Sequence, residues 1–153
     1  MEYGTVAGIE KRVSRLAHGT IMLTGEDREP GFALLDEAFA AGCNTFDTAH
    51  VYAAGECDRA LGEWIASRGN REEVVVIGKG AHPNADRHRV TPFDIASDLH
   101  DSLARMKVGY IDLYLLHWPL TPHSLRHFTK DELKIVNPPH IAETMAAFED
   151  LQT

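Results

Sequence analysis

Segments of strand character and segments of helix character alternate along the whole 153-residue chain, and this alternation restricts the fold more than any other feature. Short apolar runs are each followed by a longer segment whose apolar residues recur every three or four positions. Such an order predicts βαβ units with right-handed crossovers and a parallel sheet. We find four repeats of a strand followed by a helix, with no linker and no second domain.

Glycine, proline and threonine mark the boundaries of the predicted elements. Thr91, Pro92 and Asp94 form a T-x-x-D capping-box pattern, which is typical of a helix start. The strands are predicted over residues 13–23 (with a break at Gly19), 43–47, 73–79 and 110–117. The helices are predicted from Pro30 to Gly42, over 56–68, from Pro92 to Met106, and after Pro138–Pro139. A long loop, from Trp118 to about Asn137, lies before the last helix.

Two α/β architectures fit this order of elements. One is a doubly wound open sheet, and the other is a (β/α)8 TIM barrel, of which four units are half. In both, ligands bind at the C-terminal ends of the strands. No G-x-G-x-x-G follows a strand and no G-x-x-x-x-G-K-[ST] is present, so the positive signature of a Rossmann or phosphate-loop site is missing. The barrel is therefore favoured.

An acid, a phenol, an amine and an imidazole follow three successive strand ends. The second predicted strand ends at Asp47, with Tyr52 five residues later; the third ends at Lys79 and the fourth at His117. Neighbouring strands of a parallel sheet lie about 4.8 Å apart, so these groups can converge. We expect them to form one site.

The chemistry of these four side chains points to proton donation. A lysine ammonium close to Tyr52 favours the phenolate, and a tyrosine so placed can donate a proton near neutral pH. Asp47 would hold Lys79, and His117 could orient a substrate oxygen. Taken singly, each residue also fits a structural role: a turn residue, a rim aromatic, a lysine that reaches solvent and a loop histidine. The other histidines are interpreted as solvated polar residues: His18, His50, His82, His88, His100, His123, His127 and His140.

The composition excludes several classes of partner. The formal net charge of −8 disfavours nucleic acid. No apolar run approaches the length of a membrane span, no basic amphipathic segment suggests a membrane surface, and the N-terminus lacks a signal-peptide core. Cys43 and Cys57 make no disulfide framework, and no cluster has metal-ligand spacing. We expect a cytoplasmic protein without a metal.

The motifs FDTAHVY, VVIGKG and YIDLYLLHWP together resemble the aldo-keto reductases. The resemblance implies a (β/α)8 barrel that reduces an aldehyde or ketone with NADPH. It implies that Tyr52 is the proton donor and that Lys79 favours its phenolate. Asp47 would anchor Lys79, and His117 would orient the carbonyl group. The resemblance also implies that Gly19, Thr20 and Asp47 lie near the nicotinamide and its ribose, and that Trp118 lines the substrate pocket. Ala53 and Cys57 stand where the family often has glycine and serine, which we expect to matter little.

A barrel of this type needs about 250 residues or more. We therefore expect residues 1–153 to be the N-terminal half of a reductase domain. The later family strands, which contribute further cofactor contacts, have no counterpart here. Open sheet edges would permit self-association, and apolar side chains of the inner face would meet water: Val75, Ile77, Leu113 and Leu115. We expect the isolated chain to be weakly active or inactive. The alternatives are a non-catalytic member of the family that binds cofactor or a partner, and an unrelated α/β protein.

Overall fold

The computed structural model describes residues 1–86, 89–118 and 141–152. Its strands are β1 (Tyr3–Val6), β2 (Ile9–Ser14), β3 (Ala17–Gly19), β4 (Thr45–Asp47), β5 (Val75–Gly80) and β6 (Leu113–Leu116). Its helices are α1 (Glu29–Ala40), α2 (Glu56–Arg68), α3 (Pro92–Met106) and α4 (Ile141–Asp150), and a 3₁₀ turn over Tyr52–Gly55 precedes α2. None of the helices in these ranges is long and apolar enough to cross a membrane.

Strands β3 to β6 form one parallel sheet in chain order, as the alternation predicts. Gly19 pairs with Asp47, Asp47 pairs with Ile77, and Lys79 pairs with Leu115, so the C-terminal ends of all four strands meet at one edge. Within the described part of the chain, β3 and β6 each keep one edge without a strand partner. Self-association through these edges stays a prediction.

The first predicted strand, over 13–23, is wrong in extent. Val13 and Ser14 end an antiparallel hairpin of β1 and β2, and β3 covers only Ala17–Gly19. The strand stops there because the Leu23 N–H donates to the Thr20 carbonyl at 2.9 Å and closes a turn. The hairpin itself was not predicted.

The helices begin where their sequence signals place them. Pro30 lies in the first turn of α1, and Thr91 and Asp94 form a complete capping box at the start of α3. Apolar residues of α1 and α2 pack on one face of the sheet in a buried cluster: Leu35, Phe46, Leu61, Trp64 and Val76 are among its members. Strand residues on this face alternate with residues on the opposite face, which therefore presents Asp47, Ile77 and Lys79.

The fourth predicted strand, which is β6 in the structure, is shorter than its predicted range of 110–117. The Asp112 carboxylate accepts hydrogen bonds from Lys11, from Arg71 and from the backbone N–H of Val76, all at 2.8–2.9 Å. These contacts replace the regular strand ladder before Leu113. The predicted loop from residue 119 onward, together with Pro138 and Pro139, lies outside the described residues, whereas α4 is present over Ile141–Asp150.

The four apolar residues predicted to meet water differ in exposure. Leu115 is 39% exposed, as expected, and Ile77 and Leu113 are half-buried. The prediction is wrong for Val75, which is only 1% exposed. Val75 lies at the end of the sheet where the N-terminal hairpin contacts it, since Lys11 Nζ donates to the neighbouring Val74 carbonyl at 2.8 Å.

Candidate functional site

The structure brings the four predicted residues together beyond the C-terminal ends of β4, β5 and β6. Lys79 Nζ donates to Asp47 Oδ1 at 2.5 Å and to the Thr48 carbonyl at 2.9 Å, and it lies 5.1 Å from the centre of the Tyr52 ring. The Tyr52 and His117 rings meet edge to face, with centroids 5.7 Å apart. The Lys79 ammonium, the Tyr52 phenol and the His117 imidazole therefore lie close together.

Backbone hydrogen bonds across the sheet fix where these side chains begin. The Thr48 N–H donates to the Ile77 carbonyl at 2.8 Å, and the His117 N–H donates to the Gly80 carbonyl at 2.9 Å. Thr48 and His117 thus extend the strand ladders just past β4 and β6, so Asp47 is held at the very end of its strand. The positions of the predicted residues follow from parallel register rather than from long flexible segments.

Tyr52 opens a segment of unusual backbone. Ala53, Ala54 and Gly55 all have positive φ angles, of 46°, 53° and 93°. The left-handed region favours glycine because it brings Cβ close to the following carbonyl oxygen. Ala53 occupies the position where the family resemblance predicts glycine, so the substitution retains the turn at a cost in strain.

His117 is half-buried. Burial first, and then the nearby His82 and the positive charge of Lys79, together lower the pKa of His117 to about 4, while Asp47 opposes the shift. The imidazole is therefore neutral at physiological pH. Its Nδ1 atom is buried without a hydrogen-bond partner in the part of the chain that the structure describes.

His82 belongs to the site, which corrects its interpretation as a solvated loop residue. Its ring lies 4.6 Å from the His117 ring, centroid to centroid and edge to face. Trp118 Nε1 donates to His82 Nε2 at 3.1 Å, and His82 Nδ1 lies 2.6 Å from the Pro83 carbonyl, where it donates. His82 therefore contacts both His117, which was expected to orient the substrate, and Trp118, which was expected to line its pocket. The available signal was its place two residues beyond β5, on the same edge as Lys79.

The residues expected near a cofactor flank Asp47. The side chain of Thr20 is fully buried, and its N–H and hydroxyl both donate to the Asp47 carbonyl, at 2.9 and 3.0 Å. Gly19 is exposed, and a Cβ atom built on it would meet nothing within 4 Å. Open space therefore lies beside Gly19, while Thr20 supports the backbone of Asp47.

A buried carboxylate that sequence reasoning missed lies beneath the loop after β4. Asp58 is fully buried and accepts hydrogen bonds from the hydroxyls of Thr48, at 2.7 Å, and Ser102, at 2.8 Å. Because a buried carboxylate is costly unless it is hydrogen-bonded, these two contacts hold β4, α2 and α3 in a fixed relation.

Two other histidines that were predicted to be solvated, His50 and His18, are partly buried in the structure. The side chain of His50 is only 16% exposed, and its Nε2 lies 3.3 Å from Asp101 and 3.6 Å from Asp98. His18 is half-buried and packs near Phe46. His100 is exposed, as predicted, and His88, His123, His127 and His140 lie outside the described residues. In the described ranges no group of three or more histidine, cysteine or acidic side chains could hold a metal ion.

Comparisons with known proteins agree on one family. The profile of the Aldo/keto reductase family matches residues 15–153. Protein tas of Escherichia coli is 32% identical over 137 residues, which are 80% of this chain and 40% of that protein. The structure is similar to that of an aldo-keto reductase from Bacillus halodurans, solved in its holo form, with a TM-score of 0.75 and 26% identity over 99% of this chain and 46% of that one.

A further solved structure is an aldo-keto reductase from Klebsiella pneumoniae in complex with NADPH. It has a TM-score of 0.68 and 26% identity over 99% of this chain and 46% of that one. The chain thus spans less than half the length of each of these three relatives. The predicted fold class, the first β/α units of a (β/α)8 barrel, is confirmed, because nearly the whole chain superposes on part of such barrels.

Proposed function

The chain belongs to the Aldo/keto reductase family, and from that premise we propose that it contributes the proton-donating half of an NADPH-dependent carbonyl reductase. Residues 1–153 would form the N-terminal half of the reductase domain. The substrate would be an aldehyde or ketone, reduced to an alcohol. One observation carries the proposal: the Lys79 ammonium contacts the Asp47 carboxylate and lies 5.1 Å from the centre of the Tyr52 ring, and the His117 ring meets that ring edge to face.

Tyr52 would donate the proton that the carbonyl oxygen takes up. A positive charge 5.1 Å from the ring centre stabilises the phenolate left after donation. The Asp47 carboxylate and the Thr48 carbonyl keep that charge in place, so the ammonium does not need to reorganise during the reaction. Electrostatic preorganisation of this kind is the contribution that these residues would make to catalysis.

His117 would orient the carbonyl group. A neutral imidazole can donate one hydrogen bond to a carbonyl oxygen without competing with Tyr52 for the role of acid. Its low pKa, of about 4, keeps it neutral over the physiological range. Trp118, which is 37% exposed and is held by His82, would form one wall of the substrate pocket.

The residues near Asp47 fit a nicotinamide cofactor. Space beside Gly19 is open, and among the described residues only Oδ1 of Asp47 has a hydrogen-bond donor, so Oδ2 can accept another from a ribose hydroxyl. When bound, the cofactor supplies the hydride. The preference for NADPH is proposed from the family and from the relative that was solved with NADPH.

The test uses the full-length reductase domain that contains these residues, purified and assayed with NADPH and a panel of aldehydes and ketones. Changing Tyr52→Phe should lower kcat by about 10²- to 10⁴-fold, the usual contribution of a general acid, while the dissociation constant for NADPH changes little. Tyr3→Phe is the matched control, since the Tyr3 hydroxyl donates to the Gly42 carbonyl, away from the candidate site.

Two results would contradict the proposal. Full activity of the Tyr52→Phe variant would exclude Tyr52 as the proton donor. Tight NADPH binding without any turnover by the wild-type full-length domain would favour a non-catalytic, cofactor-binding member of the family. We expect the 153-residue chain alone to be impaired, because its described sheet has only four parallel strands and two open edges.

A further inference from the structure

We propose that His50 is a positioning residue for Tyr52: its side chain, held by Asp98 and Asp101 of α3, fixes the loop that presents the phenol to Lys79. The inference rests on the proposed function and deepens it. His50 lies between Asp47 and Tyr52 in the chain, and it touches neither the Tyr52 hydroxyl nor the Lys79 ammonium among the contacts of the described residues. Its effect would pass through the loop.

Three separate anchors converge on His50. Its backbone N–H donates to the Lys79 carbonyl at 2.9 Å, and its carbonyl accepts from Arg105 Nη1, also at 2.9 Å. Its imidazole Nε2 lies 3.3 Å from Asp101 Oδ2 and 3.6 Å from Asp98 Oδ1. The residue is therefore tied to β5 by its backbone and to α3 by its side chain.

The segment that follows needs such an anchor because its backbone is strained. Ala53 and Ala54 adopt left-handed conformations that L side chains disfavour, and a strained turn persists only where its surroundings hold it. The next residue, Gly55, rests against the guanidinium of Arg105, since a Cβ built on Gly55 would lie 2.6 Å from Arg105 Cζ. Arg105 supports the end of the turn, and His50 supports its beginning.

Asp98 connects this loop with the loop after β5. Its side chain is 2% exposed, and it accepts hydrogen bonds from the Ala81 N–H at 2.8 Å and from Arg89. One buried carboxylate thus faces residues from the loop that carries Tyr52 and from the loop that follows Lys79. The charged groups around His50 are the two carboxylates, Arg89 and Arg105, and they come from α3 and the segment just before it.

Hydrogen exchange and kinetics together test the proposal. In His50→Ala the backbone amides of residues 50–54 should exchange faster by about tenfold or more, while amides in the interior of α2 and α3 keep their protection. In active enzyme kcat should fall by about tenfold to a hundredfold, with KM and the dissociation constant for NADPH nearly unchanged. His50→Gln, whose amide can still donate to Asp101, should recover most of both losses. His100→Ala, which removes an exposed histidine on α3, is the control.

A double variant shows whether His50 acts through Tyr52. Adding His50→Ala to Tyr52→Phe should leave the residual rate of the single Tyr52→Phe variant unchanged, because the positioned group is already gone. A further loss in that background would overturn the proposal, as would unchanged exchange of residues 50–54 in His50→Ala. Lack of carbonyl reduction by the wild-type full-length domain would instead overturn the proposed function, while the exchange experiment would still decide whether His50 fixes the loop.

Discussion

Lys79 Nζ lies 5.1 Å from the centre of the Tyr52 ring while it donates to Asp47 and to the Thr48 carbonyl. Both acceptors belong to the end of one strand, and the lysine belongs to the end of the next. The ammonium is therefore directed by the register of β4 and β5, and its side chain is only 12% exposed. Any change that releases it from Asp47 changes the electrostatic environment of the phenol.

Asp47→Asn should lower kcat by about 10²-fold or more, because the neutral amide no longer fixes the charge beside Tyr52. The measurement is steady-state kinetics of carbonyl reduction by the full-length active protein. Asp36→Asn is a suitable control, since Asp36 forms an ion pair with Arg68 at 2.7 Å on the helical surface. Equal rates for wild type and Asp47→Asn would show that the ion pair has no part in catalysis.

Stability should fall on acidification because of His117. Its pKa is about 4 in the folded protein and near 6.5 when exposed, so the unfolded state binds more protons between these values. The free energy of unfolding should therefore be lost as pH falls from about 6.5 to 4, by about 1–2 kcal/mol once solvent screening of this half-buried group is allowed for.

Urea denaturation of wild type and His117→Gln at pH 7 and pH 4.5 checks this expectation. The variant should lose less stability between the two pH values, because glutamine does not titrate. His100→Gln, which replaces an exposed histidine, should behave like wild type. A pH dependence identical in all three proteins would exclude His117 as its source.

Gly62→Ala should destabilise the fold by about 2 kcal/mol or more, although alanine is the better helix former. A Cβ at Gly62 would clash with the carbonyl oxygen of Met106, a backbone atom of the next helix. At Gly31, also within a helix, the added carbon would meet only the flexible end of Leu23, at 2.8 Å. Thermal unfolding should show a clear loss for Gly62→Ala and a small change for Gly31→Ala; equal losses would contradict this account of close helix packing.

Ala53→Gly should stabilise the protein by about 0.5–1 kcal/mol, since it relieves the left-handed conformation of Ala53 at φ 46°. Ala66→Gly, at an exposed position inside α2, should instead cost about 1 kcal/mol. Opposite signs in chemical denaturation would confirm that backbone conformation decides both effects. A loss of stability in Ala53→Gly would mean that its turn is not strained.

The main sheet and the four predicted site residues could be anticipated because they depend on local signals. Apolar runs, helix caps and polar residues at strand ends are each visible within a few positions, and parallel register then brings Asp47 and Lys79 together. The capping box at Thr91 is of the same kind. For such features the sequence neighbourhood holds nearly all the information.

Features that depend on distant partners could not be anticipated. His50 looks like an ordinary loop histidine, because Asp98 and Asp101 reach it from an element far along the chain. The place of His82 just beyond β5 is visible in the sequence, but its contact with Trp118 is not. The contact of the N-terminal hairpin with the sheet next to the buried Val75, from Lys11 to the Val74 carbonyl, is likewise long-range. No periodicity or short motif encodes such contacts, so they become visible only once the elements are assembled.

The contacts of Lys11 also have a consequence for the order of folding. Lys11 on the hairpin donates to Asp112, which is 101 residues later in the chain. A contact that closes so long a loop gains little until the intervening segments are already compact, because loop-closure entropy opposes it. The β/α units should therefore assemble first, and the hairpin should dock onto them as a late step.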